Sequence, residues 1–220
     1  MTRLARSRAQ PASRKRERGA RLARADRMDG ILDSAQGLFC EKGYAGTAVS
    51  EVAARLGVVE GTVFKYFPTK RELLLKVLER WYVRMADDYA HDLAGVEGAR
   101  ARLRLLVWRH LRTMRDDPQL CRLMFHEVRS GGEYRGSRLH EMNRRYTGLL
   151  MAVIEDGVHT GVFRGDVPAA FLRDLVYGGI EHHAWNYFEG RGARLDVDAI
   201  TQQLMAVLNE GITVKTRRTA

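Results

Sequence analysis

The stretch VSEVAARLGVVEGTVFKYFPTK, residues 49–70, decides the fold because it has the pattern of two short helices joined by a tight turn. Ala53 is small enough to let the second helix cross the first closely. Gly57 stands in the turn, where the required backbone conformation is costly for other residues. Apolar side chains at helical spacing supply the inward-facing positions, which are Val52, Leu56, Val58, Val63 and Tyr66. A basic chain with this helix-turn-helix near its N-terminus is predicted to bind DNA.

Helical patterns continue on both sides of this stretch. Residues 23–42 have apolar side chains at helical spacing, and Gly43 follows where a left-handed cap would end that helix. Thr47 is the N-cap candidate for the next helix. Pro68 must end the second short helix, and a longer helix begins at Lys70. Further amphipathic segments follow, without strand alternation, and predict an all-α fold of about nine helices.

The net charge of +10 is concentrated at the N-terminus. Residues 1–27 contain ten Arg or Lys against Glu17 and Asp26, a net charge of +8, so the rest of the chain carries only +2. Basic blocks of this kind are normally disordered and contact polyanions. We therefore predict that residues 1–22 form a disordered basic arm that lies along DNA phosphates or enters a minor groove. A solvated tail without a defined role is the alternative.

Several classes of protein and site find no support in the sequence. No apolar run approaches the roughly 18 residues that a membrane span needs, and we expect a cytoplasmic protein without a membrane partner. Cys40 and Cys121 form no disulfide framework. His182 and His183 would point about 100° apart on a helix, so we expect no metal site. No cofactor-binding motif is present, and we expect no cofactor.

The segment that runs from Lys42-Gly43-Tyr44 through Thr47 to Leu74 resembles the TetR family of bacterial regulators. The order of its glycines, Thr62, the aromatic residues and Lys70 is more specific than a generic helix-turn-helix. Alanine replaces a second threonine at position 48.

Val59 is the more important departure, since the family usually has Ser or Thr there to cap the recognition helix. Valine cannot accept a hydrogen bond from the helix N-terminus, a loss of roughly 1 kcal/mol. Glu60 offsets part of this loss through the helix dipole.

The resemblance implies a three-helix DNA-binding domain over residues 23–70 and a helical ligand-binding and dimerisation domain over residues 71–220. It also places the recognition helix in the major groove of double-stranded DNA. Small, hydroxyl-bearing, aromatic and basic side chains of this region suit contacts to phosphates and base edges. The residues expected to bind DNA are Thr47, Glu60, Gly61, Thr62, Phe64, Lys65, Tyr66 and Lys70.

Residues 127–185 resemble the acyl-CoA-responsive TetR repressors of fatty-acid degradation. Met and aromatic side chains among the middle helices suit an adaptable apolar pocket, although the same spacing also fits plain core packing. The candidate pocket residues are Trp81, Met85, Trp108, Met124, Phe125, Tyr146, Leu150 and Tyr177. The candidate dimer-interface residues are Phe171, Leu175, Gly178, Gly179, Trp185, Leu204 and Leu208.

Motif and resemblance together predict a homodimeric TetR-like regulator. It would be a repressor that binds a palindromic operator and is released by a small, largely apolar ligand, such as an acyl-CoA or a related lipophilic compound. One alternative is an architectural protein that binds DNA through its basic tail with little sequence specificity. Another is an enzyme that uses the pocket, with Glu181 and His182 as acid-base groups. No catalytic motif supports the latter, and we predict no enzyme.

Overall fold

The computed structural model describes residues 11–188 and 194–213, with side chains described from residue 23 onward. Nine α-helices lie within these residues, which confirms the predicted all-α fold. A π-helix, Leu123–Arg129, follows the sixth of them without a break. The helices are α1 (Pro11–Lys42), α2 (Val49–Arg55), α3 (Glu60–Phe64), α4 (Lys70–Ala94), α5 (Ala99–Asp116), α6 (Pro118–Arg122), α7 (Arg138–His159), α8 (Ala169–Phe188) and α9 (Val197–Ile212).

The chain divides into two compact units, Met1–Val77 and Leu78–Ala220, and α4 contributes residues to both. In the described ranges, the one β-type pairing is an isolated bridge between Phe163 and Thr213, in the second unit. None of the helices in these ranges combines the length and the apolar character that crossing a bilayer requires.

Helix α1 begins at Pro11, whereas the apolar pattern predicted a start at residue 23. The later part of the predicted arm, residues 11–22, is therefore helical, and the earlier part lies outside the described residues. The helix ends at Lys42, and the Gly43 N–H donates to the Phe39 carbonyl at 3.0 Å. Gly43 has a φ of +73°, which confirms the predicted left-handed cap.

The core of the first unit forms where α1, α2 and α3 meet. Ile31 of α1, Val52 of α2 and Val63 of α3 are all fully buried. The Ser34 hydroxyl donates to the Val52 carbonyl at 3.2 Å and so joins α1 to α2. Gly57 between α2 and α3 has a φ of +65°, as predicted for the turn. Of the five positions predicted to face inward, Val52 and Val63 are fully buried, whereas Leu56, Val58 and Tyr66 are half-buried.

In the second unit, α5 lies at the centre and packs against α7, α8 and α9. The end of α7 is fitted closely to the loop that follows it. The Gly157 carbonyl accepts hydrogen bonds from the backbone N–H groups of Val162 and Phe163, at 2.8 and 2.9 Å. A Cβ atom on Gly157 would lie only 2.1 Å from Cδ2 of Phe163, so the buried phenyl ring requires glycine at this position.

Candidate nucleic-acid interface and ligand cavity

Helix α2 is capped by Ala48, so the prediction that Thr47 caps it is wrong. Ala48 has the extended backbone of an N-cap, and its N–H donates to the Glu51 carboxylate at 3.0 Å. The pKa of Glu51 lies below its usual value, mainly because the Lys42 ammonium group bonds to the carboxylate. The hydrogen bond from the Ala48 N–H adds to this effect. The buried Thr47 hydroxyl instead donates to the carbonyls of Gly43 and Leu38, at 2.8 and 3.1 Å. The hydroxyl therefore pairs with backbone carbonyl groups at the end of α1 and does not face solvent.

Helix α3 begins after Val59, whose side chain makes no capping hydrogen bond and is 73% exposed. Its first turn is closed by the backbone, since the Thr62 N–H donates to the Val59 carbonyl at 2.8 Å. Glu60 and Gly61 are exposed at this end. No atom lies within 4 Å of the place where a Gly61 Cβ would stand, so the backbone is open to close approach.

The outer side of α3 carries the side chains that a nucleic acid would meet. Phe64 is 40% exposed, Lys65 is exposed, and Thr62 is half-buried, whereas Val63 anchors the helix to the core. Tyr66 is half-buried, and the Arg24 guanidinium lies 5.8 Å from the centre of its ring. A cation flanked by aromatic rings suits contact with phosphates, sugars and base edges.

Lys70, the first residue of α4, is bonded to the segment that precedes α2. Its ammonium group donates to the Thr47 carbonyl at 2.7 Å and lies 4.5 Å from the centre of the Tyr44 ring. Thr47 and Lys70, which the sequence predicted as separate DNA-binding residues, are therefore joined to each other by this bond. The bond to Thr47 holds the start of α4 against the segment before α2. Lys70 is only half-buried.

The second unit contains a cavity of about 310 Å³ between α4, α5, α7, α8 and the π-helix. Of the eight residues predicted for a pocket, Trp108 and Leu150 do not line this cavity. The Trp108 indole donates to Asp198 at 2.9 Å, and Leu150 is fully buried in the core. The six that line it are Trp81, Met85, Met124, Phe125, Tyr146 and Tyr177.

Polar groups that sequence reasoning missed also line the cavity. His110 is 7% exposed, and its Nδ1 is bonded to the Tyr146 hydroxyl at 2.5 Å. Burial lowers the pKa of His110 to about 3, and the Arg129 charge adds to this effect, so the ring is neutral near pH 7. Tyr82 donates from its hydroxyl to the Asn143 side chain at 3.2 Å. A histidine on the apolar stripe of α5 was the one available signal.

Charged side chains stand at the exposed end of the cavity. Arg129 pairs with Glu181 at 2.7 Å, and its guanidinium lies 5.0 Å from the centre of the Phe125 ring. Arg144 is exposed and Arg173 is half-buried. The Glu181 carboxylate, named above as a possible acid-base group, is thus paired with the Arg129 guanidinium. This pairing stabilises its negative charge. Within the described ranges, no three His, Cys, Asp or Glu side chains come together as metal ligands would.

Helix α8 carries apolar side chains on two opposite sides. One side is buried in the unit, with Leu172, Val176 and Ile180 among its residues. On the other side Phe171 and Leu175 are 59% and 53% exposed.

The exposed stripe of α8 continues through Gly178 to Trp185, with the i, i+4, i+7 spacing of one helical face. Gly178 and Gly179 both have open space where a Cβ would stand. In α9, Leu204 is half-buried and Leu208 is buried in the unit's own core, whereas Val207 is 72% exposed. An exposed apolar face on α9 therefore includes Val207 and not Leu208.

An exposed short helix on a helix-turn-helix, in a chain whose other helices surround a cavity, defines a DNA-binding regulator with a separate ligand-binding unit. Residues 31–77 match the model for bacterial regulatory proteins of the tetR family. Residues 96–212 match the model for the tetracyclin repressor-like C-terminal domain. The chain belongs to the TetR family of transcription regulators, as its sequence predicted.

Individual relatives are distant but extend over most of the chain. It is 21% identical over 182 residues to the fatty acid metabolism regulator protein of Bacillus subtilis strain 168, covering 83% of this chain and 93% of that one. It is 25% identical to the HTH-type transcriptional repressor KstR2 of Rhodococcus jostii strain RHA1, covering 83% and 89%. The crystal structure of FadR from Bacillus subtilis with stearoyl-CoA superposes with a TM-score of 0.73, at 22% identity, covering 83% and 97%. This last likeness shows a shared fold.

Proposed function

We propose that this regulator is a repressor that binds a palindromic operator as a homodimer and leaves it when a small lipophilic ligand enters the cavity. The observation that carries the proposal is the cavity of about 310 Å³, because α4 both lines it and begins at the helix-turn-helix. Residues 23–70 would bind DNA, residues 71–220 would bind the ligand and the second copy, and the protein would act in the cytoplasm.

Binding to DNA would run through the exposed face of α3 and the side chains around it. One short recognition helix reads only a few base pairs, so two copies are needed to read a palindrome with half-sites about one helical turn apart. Lys65 is exposed and, among the described residues, forms no ion pair. A lysine in this position can neutralise a phosphate and release its counterions.

The experiment for DNA binding is fluorescence anisotropy with DNA from around the protein's own gene, over a range of salt concentrations. We expect sequence-preferring binding that weakens steeply with salt. Lys65→Gln should reduce the salt slope by about 2 per dimer, since each phosphate contact contributes about 0.9. Arg100→Gln removes an exposed charge on α5 in the second unit and should leave the slope unchanged. Binding without sequence preference would contradict the proposal.

Dimerisation would bury the exposed apolar stripe of α8. Apolar helix faces are normally buried, and α8 cannot bury both of its apolar sides within one copy. The open positions at Gly178 and Gly179 would let the backbone of a second helix approach closely. A two-fold axis through this stripe would give an interface of the same residues from each copy.

The oligomeric state in solution tests this part of the proposal. We expect a dimer by sedimentation velocity, and we expect Leu175→Glu to give monomers, because it places a charge in the middle of the apolar stripe. Val83→Glu changes another exposed apolar side chain, on α4, and should remain dimeric. A wild-type monomer at micromolar concentration would contradict the proposal, as would a dimer that persists in Leu175→Glu.

The ligand would be lipophilic but limited in size. The cavity volume of about 310 Å³ is at the lower end of the range for small-molecule pockets, which is about 300 to 1,000 Å³. A long acyl chain would therefore need the methionine-lined walls to move. Arg129 is paired with Glu181, so Arg144 is the side chain at the exposed end that suits an anionic group, such as a carboxylate or the phosphates of coenzyme A.

Release from DNA is measured by adding acyl-CoA compounds of increasing chain length to the protein–operator complex. Medium-length chains should release the operator at lower concentrations than stearoyl-CoA does. If no lipophilic compound changes operator affinity, ligand-controlled repression is refuted even where DNA binding itself is specific.

A further inference from the structure

A second pocket adjoins the ligand cavity where the π-helix ends. This outer pocket has a volume of about 300 Å³ and is lined by Phe125, Arg129, Ser130, Glu181 and Trp185. Among the described residues, only Phe125, Arg129 and Glu181 line both the cavity and the outer pocket. The two spaces thus meet at these three side chains, here called the gate.

Direct contacts between its side chains hold the gate closed. The Arg129 guanidinium donates to the Glu181 carboxylate at 2.7 Å and lies 5.0 Å from the centre of the Phe125 ring. The Arg129 and Glu181 side chains are 33% and 28% exposed, and ion pairs at such partly exposed positions are weak. Both side chains are also long and flexible, so the gate can open without a shift of the backbone.

Aromatic rings of the outer pocket offer an apolar surface beyond the gate. The Trp185 indole is 41% exposed, and its ring centre lies 5.2 Å from that of His126. The Phe125 ring packs against Phe188, with 5.7 Å between ring centres. Apolar atoms that leave water for such a surface gain free energy in proportion to the area they bury. The outer pocket is therefore suited to a part of a lipophilic ligand that the cavity cannot hold.

We propose that an apolar chain too long for the cavity opens the gate and extends into the outer pocket, where it contacts Trp185. The two spaces together have about twice the volume of the cavity alone. A short chain leaves the gate closed, whereas a longer chain must first separate Arg129 from Glu181 and Phe125. The gate thereby determines which chain lengths bind tightly. This inference rests on the proposed ligand-binding function and specifies how ligand length is selected.

The first test compares two saturated fatty acids, octanoate and tetradecanoate, by isothermal titration calorimetry with the full chain. Both probes carry the same carboxylate, so the ratio of their affinities depends on chain length. Arg129→Ala should raise the ratio of tetradecanoate to octanoate affinity about tenfold, because it removes the ion pair and the cation–ring contact, each worth a factor of about two to five.

Arg173→Ala is the matched control for this ratio. Arg173 also lines the cavity and pairs with a carboxylate, that of Asp174, but it does not line the outer pocket. Its replacement should therefore leave the ratio of the two affinities at the wild-type value.

Ser130→Trp should change the ratio in the opposite direction. Ser130 is exposed and lines the outer pocket without lining the cavity, so an indole at this position would fill the outer pocket and leave the core intact. Tetradecanoate should bind about fourfold more weakly for each methylene group that is excluded from the pocket. Octanoate affinity should not change.

Trp185 fluorescence shows directly whether the chain reaches the outer pocket. The contribution of Trp185 is the difference in emission between wild type and Trp185→Phe. This difference should change when tetradecanoate binds and stay constant when octanoate binds. Trp81 lines the cavity, and its emission should respond to both probes.

The alternative is that a longer chain stays in the cavity and displaces its methionine side chains. Tight tetradecanoate binding with no response of Trp185 would show this and overturn the gate. An affinity ratio that is the same in wild type and Arg129→Ala would also overturn it, as would unchanged tetradecanoate affinity in Ser130→Trp or no tetradecanoate binding at all. The proposed function fails separately, if no lipophilic compound releases the operator.

Discussion

The buried His110 should make the stability of the second unit depend on pH in a defined way. Its pKa is about 3 in the folded protein and about 6.5 when the chain unfolds, because burial removes the solvation that the imidazolium needs. Above pH 6.5 both states are neutral, and the group contributes no pH dependence. Below pH 6.5 the unfolded chain binds a proton that the folded protein does not, so stability falls as the pH falls. The slope is about 1.4 kcal/mol per pH unit, or about 2 kcal/mol lost by pH 5.

Urea denaturation between pH 7.5 and 5, at one fixed protein concentration, measures this slope. His110→Phe should be less stable at pH 7.5, because the Tyr146 hydroxyl loses its partner, but its stability should fall less on acidification. The difference in slope between wild type and variant should approach one proton. His91→Gln removes an exposed histidine of α4 and should keep the wild-type slope. Identical slopes for wild type and His110→Phe would refute a lowered His110 pKa.

Two further predictions concern single positions in the helices. Val59→Ser should be about 0.5 to 1 kcal/mol more stable to urea than Val59→Ala. Both variants lose the small buried area of valine, but only serine can cap α3. Equal stabilities would mean that the backbone hydrogen bond from Thr62 is enough to hold the first turn of α3 without a side-chain cap. Gly157→Ala should lose about 2 kcal/mol, since overpacking against Phe163 costs about 3 and the gain in helix propensity returns about 1. Gly148→Ala, an open position on the same helix, should gain up to about 1 kcal/mol in thermal or urea denaturation. Similar effects at the two glycines would show that α7 can shift away from the ring.

The helix-turn-helix could be predicted because the glycine of the turn and the helical spacing of apolar residues agree over residues 49–70, although Val59 lacks a capping side chain. Gly57 has the positive φ that its turn requires, and Val52 and Val63 are fully buried at the positions that helical spacing gives. The rule for N-caps failed at Thr47, because a tertiary contact competes for its hydroxyl. The carbonyls of Leu38 and Gly43 at the end of α1 take that hydrogen bond, and spacing within one helix does not reveal such a partner.

The start of α1 shows two sequence rules in conflict. Residues 11–22 are rich in charge, which favours disorder, but Arg, Lys, Ala and Glu are also good helix formers. Gly19 lowers the helix propensity at one position, but no proline stands between residues 12 and 42 to stop the helix. Helix extension adds one hydrogen bond per residue without a new nucleus, and the structure follows that rule from Pro11 onward.

The cavity was harder to predict from the sequence than the DNA-binding surface. Large apolar residues at helical spacing point inward whether they line a cavity or fill a core, so Leu150 and Tyr146 carried the same signal. Only the packing of several helices separates them. His110 lies on the apolar stripe of α5, but its environment depends on Tyr146 and Tyr177, which come from two other helices.

Helix α8 links the cavity to the exposed apolar stripe. Leu175 on that stripe and Tyr177 in the cavity wall are two residues apart, so they point to nearly opposite sides of one helix. A ligand in contact with Tyr177 would therefore touch the same helix that carries the proposed dimer interface. Such a ligand changes operator affinity only if it binds more tightly to the arrangement of the two copies that fits the operator poorly. Ligand contacts at Tyr177 can provide that difference, because they act on the helix that also carries Leu175.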